Sequence, residues 1–172
     1  MTAISRLRQG ARALCAWLQP VDDSLAAQVL PPNLLPLFLQ MRRTERQHSL
    51  NVLRTLQRRG CTNVAVWQAA LLHDCGKARY PFSLWQRAFV VIVSGLWRER
   101  AKRWGSGAPR GWRRPFVIRQ QHPQWSAEAV ERLGGDPLVV QLIAKHAEKL
   151  SGAPRNDFEQ LLRALQEADD AN

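Results

Sequence analysis

Residues 69–77, which read AALLHDCGK, determine how this 172-residue sequence is interpreted. Four apolar residues lead directly into the pair His73-Asp74. A carboxylate at the end of an apolar helix is costly to bury unless an opposite charge lies beside it. A divalent metal ion supplies that charge, because first-row metals accept neutral imidazole and carboxylate oxygen as ligands. The pair therefore predicts a metal site at a helix end.

The residues that follow the pair predict a tight turn beside the metal. We expect Gly76 to adopt the left-handed conformation that often ends a helix, which lets the chain pass close to the site. Lys77 then presents a compact cation that suits a phosphate oxygen. Together these two residues predict a site for a phosphorylated ligand.

Helical periodicity dominates the rest of the sequence, because apolar residues recur at three- and four-residue spacing. No stretch of useful length alternates as a strand does. We predict an all-α chain of seven or eight helices in one compact domain, with N-terminal helices in residues 1–32 packed on a core of residues 33–172. One substantial loop is expected at residues 105–115. The predicted helices are residues 4–18, 22–30, 33–56, 63–73, 83–104, 123–133, 136–150 and 156–168.

The sequence contains four histidines, His48, His73, His122 and His146, separated by 25, 49 and 24 residues. In an antiparallel helical array, such separations return the chain to the same end of the bundle. Metal sites in bundle cores are built from side chains on facing helices. The spacing therefore makes all four histidines candidate metal ligands.

Residues 71–77, which read LLHDCGK, follow a helical histidine by about 25 residues and precede an Ala-Asp pair near the end of the sequence. This arrangement resembles the HD-domain superfamily of metal-dependent phosphohydrolases. The resemblance covers about residues 41–170. It implies that one metal ion is bound by His48, His73, Asp74 and Asp169. Asp170 is the alternative to Asp169, which fits the family pattern of Ala-Asp at a helix end.

A subset of that superfamily carries two further histidines for a second metal, with the paired aspartate bridging both ions. His122 and His146 stand at the matching positions, so the resemblance implies a six-ligand site. Two departures are Cys75, where the family often has an aliphatic residue, and a long basic segment before His122.

The mixed imidazole and carboxylate ligands favour one or two divalent ions of iron, manganese or another transition metal over a structural zinc site. Such ions polarise a phosphoryl oxygen and lower the pKa of a bound water. We predict that Asp74 and Lys77 take part in catalysis. Lys77, Arg43 and Arg46 are the candidates for neutralising the charge on the phosphate.

The sequence is strongly basic, with 25 Lys and Arg residues against 14 Asp and Glu residues and a formal charge of +11. Much of the excess positive charge lies in residues 98–119, from Arg98 to Arg119, which contain eight basic residues and one acidic residue. Tryptophans interleave these charges, which fits stacking on nucleobases or docking on an anionic membrane surface. A solvated face with a mobile loop is the alternative.

Three widely spaced cysteines suggest neither a disulfide framework nor a zinc site, and no apolar run approaches the ~18–20 residues that span a bilayer. We therefore expect a cytoplasmic protein without a transmembrane segment, of undetermined oligomeric state. The predicted function is hydrolysis of a small phosphorylated molecule, a nucleotide or a phosphodiester. The alternative is a catalytically weak module of the same superfamily that senses nucleotides or binds nucleic acid or a membrane surface.

Overall fold

The computed structural model describes residues 21–80 and 84–172. Within these ranges the chain forms nine α-helices, two 3-10 helices and no strand, which confirms the all-α prediction. The 3-10 helices are Cys75–Arg79 and Gly111–Arg113. The α-helices are α1 (Asp23–Val29), α2 (Leu35–Leu39), α3 (Arg43–Arg58), α4 (Val64–Leu72), α5 (Leu84–Leu96), α6 (Arg98–Gly105), α7 (Arg114–Arg132), α8 (Pro137–Lys145) and α9 (Asp157–Asp170).

The predicted helix at residues 4–18 lies outside the described residues, so the proposed packing of residues 1–32 is seen only in its last part. There, Ala26 of α1 and the following Leu30 are buried in the main hydrophobic core. The described part of this segment thus packs on the same core as the rest of the chain.

Four helices begin where a short polar side chain accepts a hydrogen bond from a backbone N–H of the first turn. Such caps satisfy donors that the helix itself leaves unpaired, so they fix where a helix begins. The prediction of these starts is confirmed. The capping residues are Asp22 for α1, Asn63 for α4, Asp136 for α8 and Asn156 for α9.

Two helices that were predicted as continuous are each divided. The predicted helix at 33–56 is interrupted at residues 40–42, where Arg42 is extended with ψ 150°. The Glu45 side chain then accepts a hydrogen bond from the Arg42 N–H at 3.2 Å, which restarts the chain as α3. The predicted helix at 83–104 breaks at Trp97, whose φ of −132° and ψ of 62° are not helical.

The predicted loop at 105–115 and the predicted start at Pro123 are wrong. The loop is shorter, because it contains the 3-10 helix Gly111–Arg113 and because α7 begins at Arg114. Pro123 lies inside α7. A proline within a helix removes one backbone hydrogen bond, so the sequence favoured a helix start at this residue.

The main core surrounds α4, whose residues Val66, Ala69, Ala70, Leu71 and Leu72 are all buried. This helix contacts α1, α2, α3, α8 and α9. A helix that is apolar on every side is expected at the centre of a domain. Its C-terminal end therefore delivers the next residues of the chain to the interior.

A smaller second core joins α5, α6 and α7. It contains Val90, Val93, Ala101 and Phe116, with the partly buried Trp104 packed against it. No helix in residues 21–80 and 84–172 has both the length and the apolar character needed to cross a bilayer.

Gly76 does not adopt the left-handed conformation that we expected, since the described glycines with positive φ are Gly60, Gly111, Gly134 and Gly152. Its small size is required instead. A Cβ at this position would lie 2.7 Å from both the His122 carbonyl oxygen and the Ser126 backbone nitrogen. The Gly76 N–H also donates a hydrogen bond to Ser126 Oγ at 2.8 Å. Close packing against α7 is therefore the physical reason for this glycine.

We expect Gly76→Ala to destabilise the protein, because the new methyl group would displace backbone atoms of α7. The cost should be about 1–3 kcal/mol, which lowers the melting temperature by several degrees in thermal unfolding. Gly107→Ala is the matched control, because a Cβ at Gly107 meets no atom within 4 Å. Equal melting temperatures for the two variants would contradict the packing argument.

Candidate metal centre

Six of the sequence-predicted residues converge at the C-terminal end of α4. Each of five elements supplies at least one of them, so the site depends on the packing of the whole bundle. They are His48 on α3, His73 and Asp74 after α4, His122 on α7, His146 after α8 and Asp169 on α9.

The first group of ligand atoms comes from His48, His73 and Asp169, and all three atoms lie within 4.8 Å of one another. His48 Nε2 is 2.8 Å from Asp169 Oδ1, and His73 Nε2 is 3.6 Å from the same oxygen. The side chains of His48 and Asp169 are 29% and 32% exposed. This group therefore lies on the solvent side of the site.

The second group comes from His73, Asp74 and His146, whose ligand atoms also lie within 4.8 Å of one another. These three residues are buried. His122 lies beside them, with its Nε2 3.3 Å from Asp74 Oδ1 and its ring 5.2 Å from that of His146. His73 belongs to both groups, so the six side chains form one continuous cluster.

Backbone carbonyls orient three of the imidazole rings. The Nδ1 atoms of His73, His122 and His146 lie 2.7–3.1 Å from carbonyl oxygens of their own helices. A carbonyl only accepts hydrogen bonds, so each Nδ1 carries the proton and each Nε2 keeps its lone pair. The Nε2 lone pair is the metal-binding group of such an imidazole.

Pro123 contributes to the orientation of His122. In a regular helix the N–H of residue 123 would bond to the carbonyl of Arg119, four residues earlier. Proline has no N–H, and His122 Nδ1 lies 3.0 Å from the Arg119 oxygen. The sequence Gln121-His122-Pro123 thus provides an acceptor for the imidazole within its own helix.

Asp74 is buried among imidazole nitrogens that do not donate to it. Lys77 Nζ lies 2.6 Å from both oxygens of its carboxylate and donates a hydrogen bond to Oδ2. The Nε2 atoms of His122 and His73, which keep their lone pairs, lie 3.3 Å from Oδ1 and 3.7 Å from Oδ2. Acceptors that face one another in a buried site are costly, and a metal ion between them would remove that cost. The donor set of imidazole nitrogens and carboxylate oxygens fits a divalent transition metal.

The family model of the HD domain matches residues 46–171. The chain belongs to the HD domain family. HD domains form a superfamily of metal-dependent hydrolases, and the clustered His and Asp side chains are candidate ligands for such a metal. Comparison with curated proteins and with solved structures finds no significant match.

The two aspartates of this HD domain are held ionised. Burial alone raises the pKa of Asp74, but the neighbouring His73 and Lys77 hold it well below its usual range. Burial also opposes ionisation of Asp169, but the hydrogen bond from His48 and the proximity of His73 lower the pKa of Asp169 to about 2. Metals bind carboxylates in their ionised form, so both aspartates are ready to act as ligands.

Burial favours the neutral form of two imidazoles in the HD site. It lowers the pKa of His73, against the attraction of Asp74 and Asp169. Burial and the adjacent rings of His73 and His122 lower the pKa of His146 to about 3. Only the neutral imidazole binds a metal, so the buried environment favours coordination.

The three predicted phosphate-binding residues have different surroundings. Lys77 lies at its edge, partly exposed and in contact with Asp74. Arg46 instead forms an ion pair with Asp23 of α1. It is two residues from His48, about 200° around α3, so these side chains leave opposite faces. Arg43 is exposed in the first turn of α3.

Sequence reasoning missed the contribution of Ser126. This serine is buried, and its hydroxyl accepts the hydrogen bond of Gly76. Cys75 also packs here, and burial raises the pKa of its thiol to about 12. Ser126 lies one helical turn after His122, and that i, i+4 spacing was the available signal.

Metal content should show which of Asp169 and its exposed neighbour Asp170 is the metal ligand. Asp169→Asn removes the charge that faces His48 and His73, so the purified variant should retain at most about a tenth of the wild-type metal. Asp170→Asn should retain all of it, because this side chain is exposed and outside the cluster. Elemental analysis of both proteins after identical purification makes the comparison. Metal loss in the Asp170 variant alone would contradict the assignment.

Proposed function

We propose that the chain is a metal-dependent phosphohydrolase, with a nucleotide or a phosphodiester as its substrate. The observation that carries the proposal is the buried Asp74 carboxylate, whose oxygens face the Nε2 atoms of His73 and His122 in a cluster that also contains His146. Hydrogen-bond acceptors packed against one another are unfavourable without a cation, so this arrangement supports a metal ion at the site. Hydrolysis of a phosphate ester is chemistry that such an ion would supply.

In the proposed assignment, all six side chains of the cluster hold one or two divalent ions of iron, manganese or another transition metal. Such a metal, when bound, would act as a Lewis acid on a phosphoryl oxygen and would lower the pKa of a bound water to near neutral. The protein's own contribution is to hold neutral imidazoles and ionised carboxylates in place before the substrate arrives. The backbone contacts of Nδ1 in His73, His122 and His146 support that preorganisation.

The exposure of the site residues suggests where the substrate enters. His48, Asp169 and Lys77 are partly exposed, whereas Asp74 and His73 are buried. A phosphate group that approaches from this side meets the Lys77 ammonium next to the ligand cluster. We propose that Lys77 binds a phosphate oxygen and neutralises charge in the transition state. The net charge of +11 supports an anionic substrate through long-range attraction.

The proposal is tested by metal analysis combined with phosphate release. Purified protein is analysed for transition metals and then assayed with a panel of nucleoside monophosphates, cyclic nucleotides and dinucleotides. We expect bound metal and hydrolysis that chelation abolishes. Asp74→Asn should lose the metal and reduce kcat/KM at least about a thousandfold, because it removes a central ligand. Asp170→Asn is the matched control and should behave as wild type.

Two results would contradict this function. Protein that retains no metal, even after reconstitution, would exclude the proposed chemistry. Protein that retains metal and binds nucleotides without hydrolysing any of them would instead favour the sensing module. Unchanged metal content in Asp74→Asn would show that Asp74 is not a central metal ligand.

Lys77→Gln tests substrate binding separately from metal binding. Because Lys77 contacts Asp74 as a cation, its removal should leave the metal content equal or higher. We expect kcat/KM to fall about 10- to 1000-fold, the range seen when one charge-stabilising donor is removed. Lys149→Gln, an exposed lysine outside the cluster, is the control. Loss of metal from Lys77→Gln would show that this lysine stabilises the ligand cluster rather than binding the substrate.

A further inference from the structure

The outer face of α5 carries an exposed apolar stripe. Phe89, Ile92 and Leu96 are spaced by three and four residues, so they share one face of the helix. Ile92 is 61% exposed and Leu96 is 68% exposed. Val90 and Val93 on the other side are buried in the second core. The helix therefore has apolar residues on its outer face as well as on its buried face.

Aromatic contacts extend this stripe onto the neighbouring elements. The Phe89 ring lies 5.8 Å from Phe116, and Phe116 lies 6.3 Å from the exposed Trp112. Trp104 packs between them, 5.0 Å from Trp112 and 5.2 Å from Phe116. We call the exposed apolar residues of these elements the apolar patch: Phe89, Ile92, Leu96, Trp97 and Trp112.

Basic side chains lie in the elements that carry the apolar patch. The Arg113 guanidinium lies 5.2 Å from the centre of the Trp112 ring. Glu99, the only acidic residue in the sequence of residues 98–119, is paired with Lys102 at 3.6 Å. Further exposed basic residues are Arg100, Lys102 and Arg103 on α6 and Arg110 before the second 3-10 helix.

We propose that the apolar patch docks on the surface of an anionic lipid bilayer. Exposed Trp, Phe and aliphatic side chains bordered by Arg and Lys are the composition of helices that lie in the membrane interface. Ile92 and Leu96 would enter the boundary between headgroups and acyl chains. The flanking tryptophans would lie at headgroup level, and the arginines would contact lipid phosphates.

Two other occupants fit the patch less well. A symmetric contact with a second copy would bring together two copies of residues 98–119, each with a net charge of +7. Like-charge repulsion opposes such a contact. A nucleic acid would match the charge, but its bases stack on aromatic rings. Ile92 and Leu96, which are aliphatic, are the most exposed large apolar residues of the patch. Lipid is the partner that matches both the charge and the aliphatic surface.

Vesicle flotation tests the proposal with the full chain. Wild-type protein should float with vesicles of phosphatidylglycerol and phosphatidylcholine, and not with phosphatidylcholine alone. Ile92→Ser with Leu96→Ser should weaken binding at least about tenfold, because two apolar side chains no longer enter the lipid. Arg100→Gln with Arg103→Gln should also weaken it at least about tenfold. Neither pair should change hydrolysis of a soluble substrate, because these residues lie outside the metal cluster.

Matched controls change exposed residues elsewhere on the protein. Val64→Ser with Leu133→Ser removes two exposed apolar side chains, and Arg132→Gln with Lys149→Gln removes two exposed charges. Both control pairs should bind vesicles as wild type does. Melting temperatures of all variants verify that they fold.

Several outcomes would overturn the proposal. Absence of wild-type flotation with anionic vesicles would do so, as would flotation that the patch variants leave unchanged. A dimer that the change of Ile92 and Leu96 abolishes would identify a second copy as the occupant. Binding of a single-stranded oligonucleotide that is lost in these variants would identify nucleic acid.

Discussion

The buried carboxylate of Asp74 is the constraint on which the rest of the structure depends. It lies at the end of a helix that is apolar on every side, where an isolated charge is strongly disfavoured. Lys77 contacts both of its oxygens, and the Nε2 atoms of His73 and His122 lie close to the carboxylate. This packing of a carboxylate against imidazole acceptors is the property that links the fold to the proposed metal chemistry.

That constraint explains why the elements around the site pack so closely. Gly76 permits the 3-10 helix to contact α7 at backbone distance, and this contact brings His122 to Asp74. Pro123 frees the Arg119 carbonyl, which holds the His122 ring. These residues contribute through backbone geometry rather than through their own chemistry. A substitution at either position would therefore act on the candidate metal site indirectly.

The two hydrophobic cores divide the protein into regions with different surfaces. The main core around α4 carries the candidate ligand cluster, whereas the second core between α5, α6 and α7 carries the apolar patch. The helix α7 belongs to both regions, since it contributes Phe116 to one and His122 to the other. This helix would thus connect the proposed lipid contact to the candidate metal site.

Local chemistry allowed the sequence to predict the helical class, the capped helix starts and the HD motif. Asn63 and Asp136 cap their helices through contacts within the first turn, so no distant residue is needed to recognise them. The same is true of the four histidines as candidate ligands, because their spacing follows from helix length.

Only the tertiary structure decided features that depend on residues far apart in the chain. It placed Asp169, which the family resemblance had already favoured over Asp170, beside His48, because the last turn of α9 presents only one of them to α3. It directed Arg46 to Asp23, and it exposed Ile92 and Leu96 although both are apolar residues of a predicted helix. Periodicity identifies the apolar faces of a helix, but long-range packing determines which of those faces is covered.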